Sequence, residues 1–194
     1  MGISRKKTGG VGETVKTIVY AVLIALVVRT IAFEPFNIPS KSMVPTLLVG
    51  DYLFVSKYSY GYSRHSLPLS LHLFDGRLME HIPDRGDVAV FKLPTDNRTD
   101  YIKRVIGLPG DHVRIDRGQV YVNDHPLAED YVESDYRDDV SMREMQVRPD
   151  EFFVLGDHRN SSSDSRVWGT VPRRYIYGKA VFSYWPLSKM GRLR

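Results

Sequence analysis

Past residue 34, the apolar residues of this 194-residue chain come only in short runs. "DYLFVSKY" (51–58), "DVAVFK" (87–92), "YIKRVI" (101–106), "HVRI" (112–115), "QVYV" (119–122), "EFFVLG" (151–156) and "YGKAVFSYW" (177–185) are rich in Val, Ile, Phe and Tyr. Turn residues cut them apart: "PDRGD", "LPGD", "DRG", "NDHP". Runs of this length and composition are strands, and the short connections join them as antiparallel neighbours. "RIDRGQVYV" reads as a tight hairpin around Asp116–Gly118. No amphipathic helix of useful length follows residue 34, so the fold is expected to be mostly antiparallel β. Two stretches, about 59–82 and 129–148, are mixed or charged without clear period and are expected as surface insertions.

The N-terminus is different. "TIVYAVLIALVV" (Thr17–Val28) is apolar and uncharged. A helix over Val15–Phe33 would span roughly 28 Å, about one hydrocarbon core. Lys16 and Arg29 sit where long side chains can snorkel, and Arg5, Lys6 and Lys7 precede the segment. The positive-inside rule then puts 1–14 in the cytoplasm, a transmembrane anchor at 15–33, and 34–194 outside. A cleaved signal peptide and a buried core helix are the alternatives. Against cleavage, no Ala-x-Ala follows the run, and Arg29 stands where a cleavage region should be small and neutral.

Charge narrows the function classes. Residues 1–33 carry five cations against Glu13, and the rest of the chain carries 22 charges of each sign. The basicity belongs to the N-terminus, so a nucleic-acid partner is not expected. The absence of cysteine removes disulfides, thiolate catalysis and cysteine metal sites. The six histidines are scattered, and none forms the two-His helical spacing of a zinc protease.

"IPSKSMVPTL" (Ile38–Leu47) places Ser40 and Ser42 between Pro39 and Pro45. A serine becomes a nucleophile only beside a base. In "YIKRVIGLPGD" (Tyr101–Asp111) alternation puts Tyr101, Lys103 and Val105 on one strand face and Ile102, Arg104 and Ile106 on the other. If the first face is inside, burial lowers the Lys103 pKa and makes its amine a general base. Sequence alone does not say which face is inside. "GDHRNSSSDSRVWG" (Gly156–Gly169) follows a strongly apolar strand and is dense in hydroxyls and opposite charges, including Asp157, Arg159, Asp164 and Arg166. It reads equally as a polar loop and as part of a site.

In this order, "PSKSMVPTL", "RGDVAVF" (Arg85–Phe91), "DYIKRVIGLPGD" and "GDHRNSSSDSR" resemble the conserved boxes of type I signal peptidases, membrane-bound serine proteases that cleave signal peptides from exported proteins. The resemblance implies Ser42 as nucleophile and Lys103 as general base. It implies an oxyanion hole from the Ser40 hydroxyl and the Ser42 backbone N–H, and Ser162 as the hydroxyl that orients the lysine. Asp164 and Arg166 match a structural charge pair, with Asp157 and Arg104 also structural near the site, and Met43 and Pro45 match the turn that fixes the nucleophile. His158 stands where the family usually has Asn, and it invites a Ser-His alternative. Lys103, however, occupies the position that is His in the endoplasmic-reticulum branch, which makes the chain resemble the bacterial type. The implied substrates are preprotein signal peptides with small residues at the first and third positions before the cut. The implied setting is the bacterial cytoplasmic (inner) membrane, single-pass, in contact with membrane lipid. A monomer is expected, and no cofactor. The boxes do not separate a general signal peptidase from a dedicated processing peptidase.

Overall fold

The computed structural model describes residues 10–61 and 81–193, the side chains of 26–31 excepted. Most of the 59–82 stretch therefore lies outside the described residues. The chain opens with helix α1 (Val11–Ile31). Its described apolar side chains, Ile18, Val22 and Ile24 among them, stand exposed. Among the described residues no helix is long and apolar enough to cross a membrane.

The strands are β1 (Phe33–Asn37), β2 (Tyr52–Ser56), β3 (Val88–Lys92), β4 (Asp100–Gly107), β5 (His112–Asp116), β6 (Gln119–Val122), β7 (His125–Pro126), β8 (Met142–Gln146), β9 (Glu151–Leu155), β10 (Val171–Pro172), β11 (Ile176–Trp185) and β12 (Gly191–Arg192). The larger sheet runs β1-β2-β11-β3-β4-β9-β10, with β12 beside β11, and the smaller runs β7-β6-β5-β8. Every described pairing is antiparallel. The mostly antiparallel β fold expected from the short runs is what the chain adopts. The β5–β6 hairpin closes on Asp116 and Gln119, and Arg117 and Gly118 both have positive φ, as a two-residue turn of this twist requires.

β3 and β4 lie at the centre of the larger sheet, and apolar side chains cover them on both faces. Ala89, Phe91 and Val105 pack with Phe152, Val154 and Ile176 on one side. Val88, Val90 and Ile102 pack with Ile38, Met43, Leu47, Leu53 and Val55 on the other. A strand buried on both faces shows no clean alternation, which is why sequence could not choose a face for Lys103. A third cluster, including Val113, Val120, Phe153 and Leu155, ties the smaller sheet to the end of the larger one.

The 129–148 stretch, expected as a surface insertion, is mostly exposed but is tied to the fold at several points. It supplies β8, which pairs with β5, and it buries Glu129 and Val132. Its charges looked solvated because their partners are distant in sequence. Glu129 forms a buried ion pair with Arg159, and Asp138 pairs with Arg166.

Candidate active site

The 38–51 loop between β1 and β2 carries both serines. Its base is zipped by Ile38 N–H donating to Asp51 O at 2.9 Å and Gly50 N–H donating to Ile38 O at 2.9 Å. Within it, Val44 N–H donates to Lys41 O (3.0 Å) and Leu47 N–H to Met43 O (2.8 Å). Met43 and Leu47 are fully buried and pin the turn to the core, while Pro45 sits half-buried between them. Ser42 is thereby held against the sheet, 8% exposed.

Lys103 meets it there. The register pairs Lys103 with Ala89 and Tyr101 with Phe91, so Tyr101, Lys103 and Val105 share the face of the Phe91 cluster. The Lys103 amine is 2.6 Å from Ser42 Oγ and donates to Ile102 O at 3.0 Å. Its residue is 3% exposed, and burial lowers its pKa to about 8, against the opposing pull of Asp164 and Asp157. Ser40 Oγ lies 3.3 Å from Ser42 Oγ.

Arg104, the next residue, points to the other face and is also buried. It makes a two-pronged pair with Asp157, Nε to Oδ1 at 2.9 Å and Nη2 to Oδ2 at 2.7 Å. Thr46 of the serine loop donates to the same carboxylate at 2.5 Å, and the Tyr131 ring lies 4.0 Å beneath the guanidinium. Asp164 accepts from Arg166 Nε (2.8 Å) and Nη2 (2.9 Å) and from Gly156 N–H (3.2 Å). It also caps the short helix α2 (Ser165–Trp168) through Arg166 N–H. Asp157, Asp164, Arg104 and Arg166 thus surround the serine–lysine contact as two ion pairs.

Ser162 lies beside the site but does not make the bond expected of it. Its Oγ is buried without a hydrogen-bond partner among the described residues, while the lysine amine contacts Ser42 Oγ and Ile102 O. Gly156 explains how close the two loops come. A Cβ there would fall 2.2 Å from Ser162 Oγ and 2.4 Å from Ser42 O. His158 is not bonded to the serine hydroxyl either; its Nδ1 lies 3.1 Å from Lys41 O. Sequence reasoning missed Thr46, Glu129 and Tyr131. Each acts on a partner far away in sequence, Thr46 on Asp157, Glu129 on Arg159 and Tyr131 on Arg104, and no local pattern marks it.

A cleft of about 520 Å³ opens onto the pair, with Phe36, Pro39, Tyr101 and Ser161 in its lining. β9 pairs with β4 only from Arg104 onward. The Asp100–Lys103 backbone, paired with β3 on one edge, therefore has no described strand on its other edge, and these residues line the cleft. Among the described residues no cluster of His, Asp and Glu could hold a metal ion.

A serine hydroxyl against a buried, easily deprotonated amine, at the foot of an open cleft on a β-domain, has the chemistry of a serine hydrolase. The family is more specific. Residues 11–185 match the family described as signal peptidase, peptidase S26, and the chain belongs to it. It is 42% identical to a signal peptidase I of Leptolyngbya laminosa, over 93% of this chain and 83% of the relative. It is 41% identical to a probable signal peptidase I-2 of Synechocystis sp., over 93% and 76%. The signal peptidase I of Rickettsia conorii is 36% identical over 84% and 75%. A solved signal peptidase I structure from Enterococcus faecalis V583 is 33% identical, covers 50% of this chain and 95% of its own, and aligns with a TM-score of 0.45.

Proposed function

We propose that this chain is a membrane-anchored serine endopeptidase that removes signal peptides from exported preproteins through a Ser42–Lys103 dyad. The observation that carries the reading is the 2.6 Å contact between Ser42 Oγ and an amine whose pKa burial lowers to about 8. An ordinary lysine is almost fully protonated at neutral pH and cannot accept a proton. Lys103 can.

In the first step Ser42 Oγ attacks the scissile carbonyl while its proton passes to Lys103 Nζ. The oxyanion that forms is held by the Ser40 hydroxyl and the Ser42 N–H. Collapse breaks the C–N bond, and the lysine ammonium returns the proton to the leaving amine of the mature protein. A water then gives its proton to Lys103 and attacks the acyl-enzyme, which releases the signal peptide as a carboxylic acid and restores Ser42. The Asp100–Lys103 edge, with no strand beside it among the described residues, supports a substrate bound as an added strand, with its scissile bond beside Ser42. Such binding uses the substrate's main chain, so selectivity falls to small side chains near the cut, at the first and third positions before it.

The apolar sequence from Val15 to Phe33 and the exposed apolar side chains of α1 support a single-pass anchor in the bacterial cytoplasmic membrane. Its positive flank supports a cytoplasmic N-terminus, with residues 34–194 on the extracytoplasmic side. Ser162, buried and adjacent, is assigned to orienting the lysine once the amine has taken the serine proton. The test is cleavage of a purified preprotein by the detergent-solubilised chain. Wild type should yield the mature protein and Ser42→Ala none. Undiminished cleavage by Ser42→Ala would reject the mechanism.

A further inference from the structure

His158 is the site neighbour that the dyad leaves without a role. Its Nδ1 lies 3.1 Å from Lys41 O, and its backbone N–H donates to Ser42 O at 3.1 Å. A carbonyl oxygen only accepts, so Nδ1 carries the proton of the first contact. The imidazole is in turn backed by the Tyr136 ring, edge to face, with centroids 4.7 Å apart. One residue thus grips two consecutive carbonyls, on either side of the Ser42 backbone.

Lys41 O and Ser42 N belong to one trans peptide. In a trans peptide the C=O and N–H point in opposite directions in one plane. The imidazole shares Lys41 O with Val44 N–H, which donates to it at 3.0 Å, and fixing the oxygen between them fixes the Ser42 N–H on the opposite side. Drawing density toward the carbonyl oxygen also leaves the N–H a stronger donor, as in any hydrogen-bonded chain. The second bond, at Ser42 O, prevents the following peptide from rotating to compensate.

We infer that His158 is a positioning residue that aims and polarises the Ser42 N–H toward the oxyanion, with Tyr136 holding the ring in place. The inference rests on the reading of Ser42 as nucleophile. The imidazole touches neither the reacting hydroxyl nor the lysine, so it moves no proton in the reaction. An interaction that matures only with the oxyanion changes kcat and leaves substrate affinity alone.

The experiment measures kcat and KM for preprotein cleavage by the full chain in detergent, with thermal unfolding followed for every variant. His158→Phe keeps a ring against Tyr136 and loses the donor. Its kcat should fall about tenfold, or about 1.4 kcal/mol, with KM within about twofold of wild type. His158→Asn keeps an N–H donor and loses the ring, and its kcat should stay within about threefold of wild type. A wild-type kcat in a folded His158→Phe would overturn the inference. So would a raised KM at unchanged kcat, or an Asn variant as impaired as the Phe variant. If His158→Phe does not fold, Tyr136→Leu decides: a lowered kcat at unchanged KM supports the role, and an unchanged kcat overturns it. Ser42→Ala is run alongside. Activity there would overturn the nucleophile itself, whereas a silent His158→Phe beside an inactive Ser42→Ala overturns only the positioning role.

Discussion

The lysine supplies the sharpest test, because its burial converts directly into a pH profile. Desolvation lowers the Lys103 pKa from the ordinary 10.5 to about 8. At pH 7 that leaves about one amine in ten neutral, against about one in 3,000 for an unperturbed lysine, so burial raises the active fraction about 300-fold. The neutral amine is the competent form, so activity is lost on the acid side. The value of kcat/KM should rise about tenfold per pH unit from pH 5.5 and level off above about 8. The assay is preprotein cleavage at low substrate across pH 5.5–10, with the fold checked at each end by circular dichroism. Lys103→Arg should be inactive throughout, because a guanidinium keeps its proton. A limb centred near 10.5, a flat profile from pH 6 to 9, or a working Lys103→Arg would refute the argument that burial makes the base.

Asp157 raises the Lys103 pKa and neutralises Arg104. Asp157→Asn should therefore move the acid limb to lower pH, and it should cost about 3–5 kcal/mol in denaturant unfolding by leaving a buried guanidinium unpaired. Ser40→Ala should remain folded and lose on the order of a hundredfold in kcat, the usual loss for one oxyanion donor; an unchanged kcat would remove Ser40 from that role. Gly156→Ala should abolish cleavage, since its Cβ would meet Ser42 O at 2.4 Å and backbone would have to move. In fractionation the chain should stay with membranes, and protease added outside should degrade residues beyond Phe33; a soluble chain starting near Phe33 would reject the anchor.

Much of this was legible in the residues. The strand runs and the Asp116–Gly118 turn announce themselves because β-branched alternation and positive-φ turns are local properties. Ser42 and Lys103 were legible as a pair only through the resemblance, since 61 positions separate them. Which side of β4 was inside had no answer in the sequence, because both sides are. The anchoring points of the 129–148 stretch were hidden for a related reason: Glu129 and Asp138 look like solvated charges until Arg159 and Arg166 are brought to them. Ser162 was placed beside the site, but its expected bond depends on where an amine points, which no spacing encodes.

Lys103 and Arg104 are adjacent cations on one central strand, one facing a hydroxyl and the other a carboxylate. The apolar residues of β4 would suit either face, so hydrophobic matching alone tolerates a one-residue slip against β3. Such a slip would carry each cation to the opposite face of the sheet. In one direction it would press a permanently charged guanidinium on Ser42 and turn the apolar Val105 to Asp157; in the other it would give Asp157 an amine too short and single-pronged to replace the fork and leave Ser42 facing Ile102 without a base. The alignment of β4 in the sheet is thus keyed by electrostatics, and the residue that performs the chemistry is kept in its slot by the one beside it that performs none.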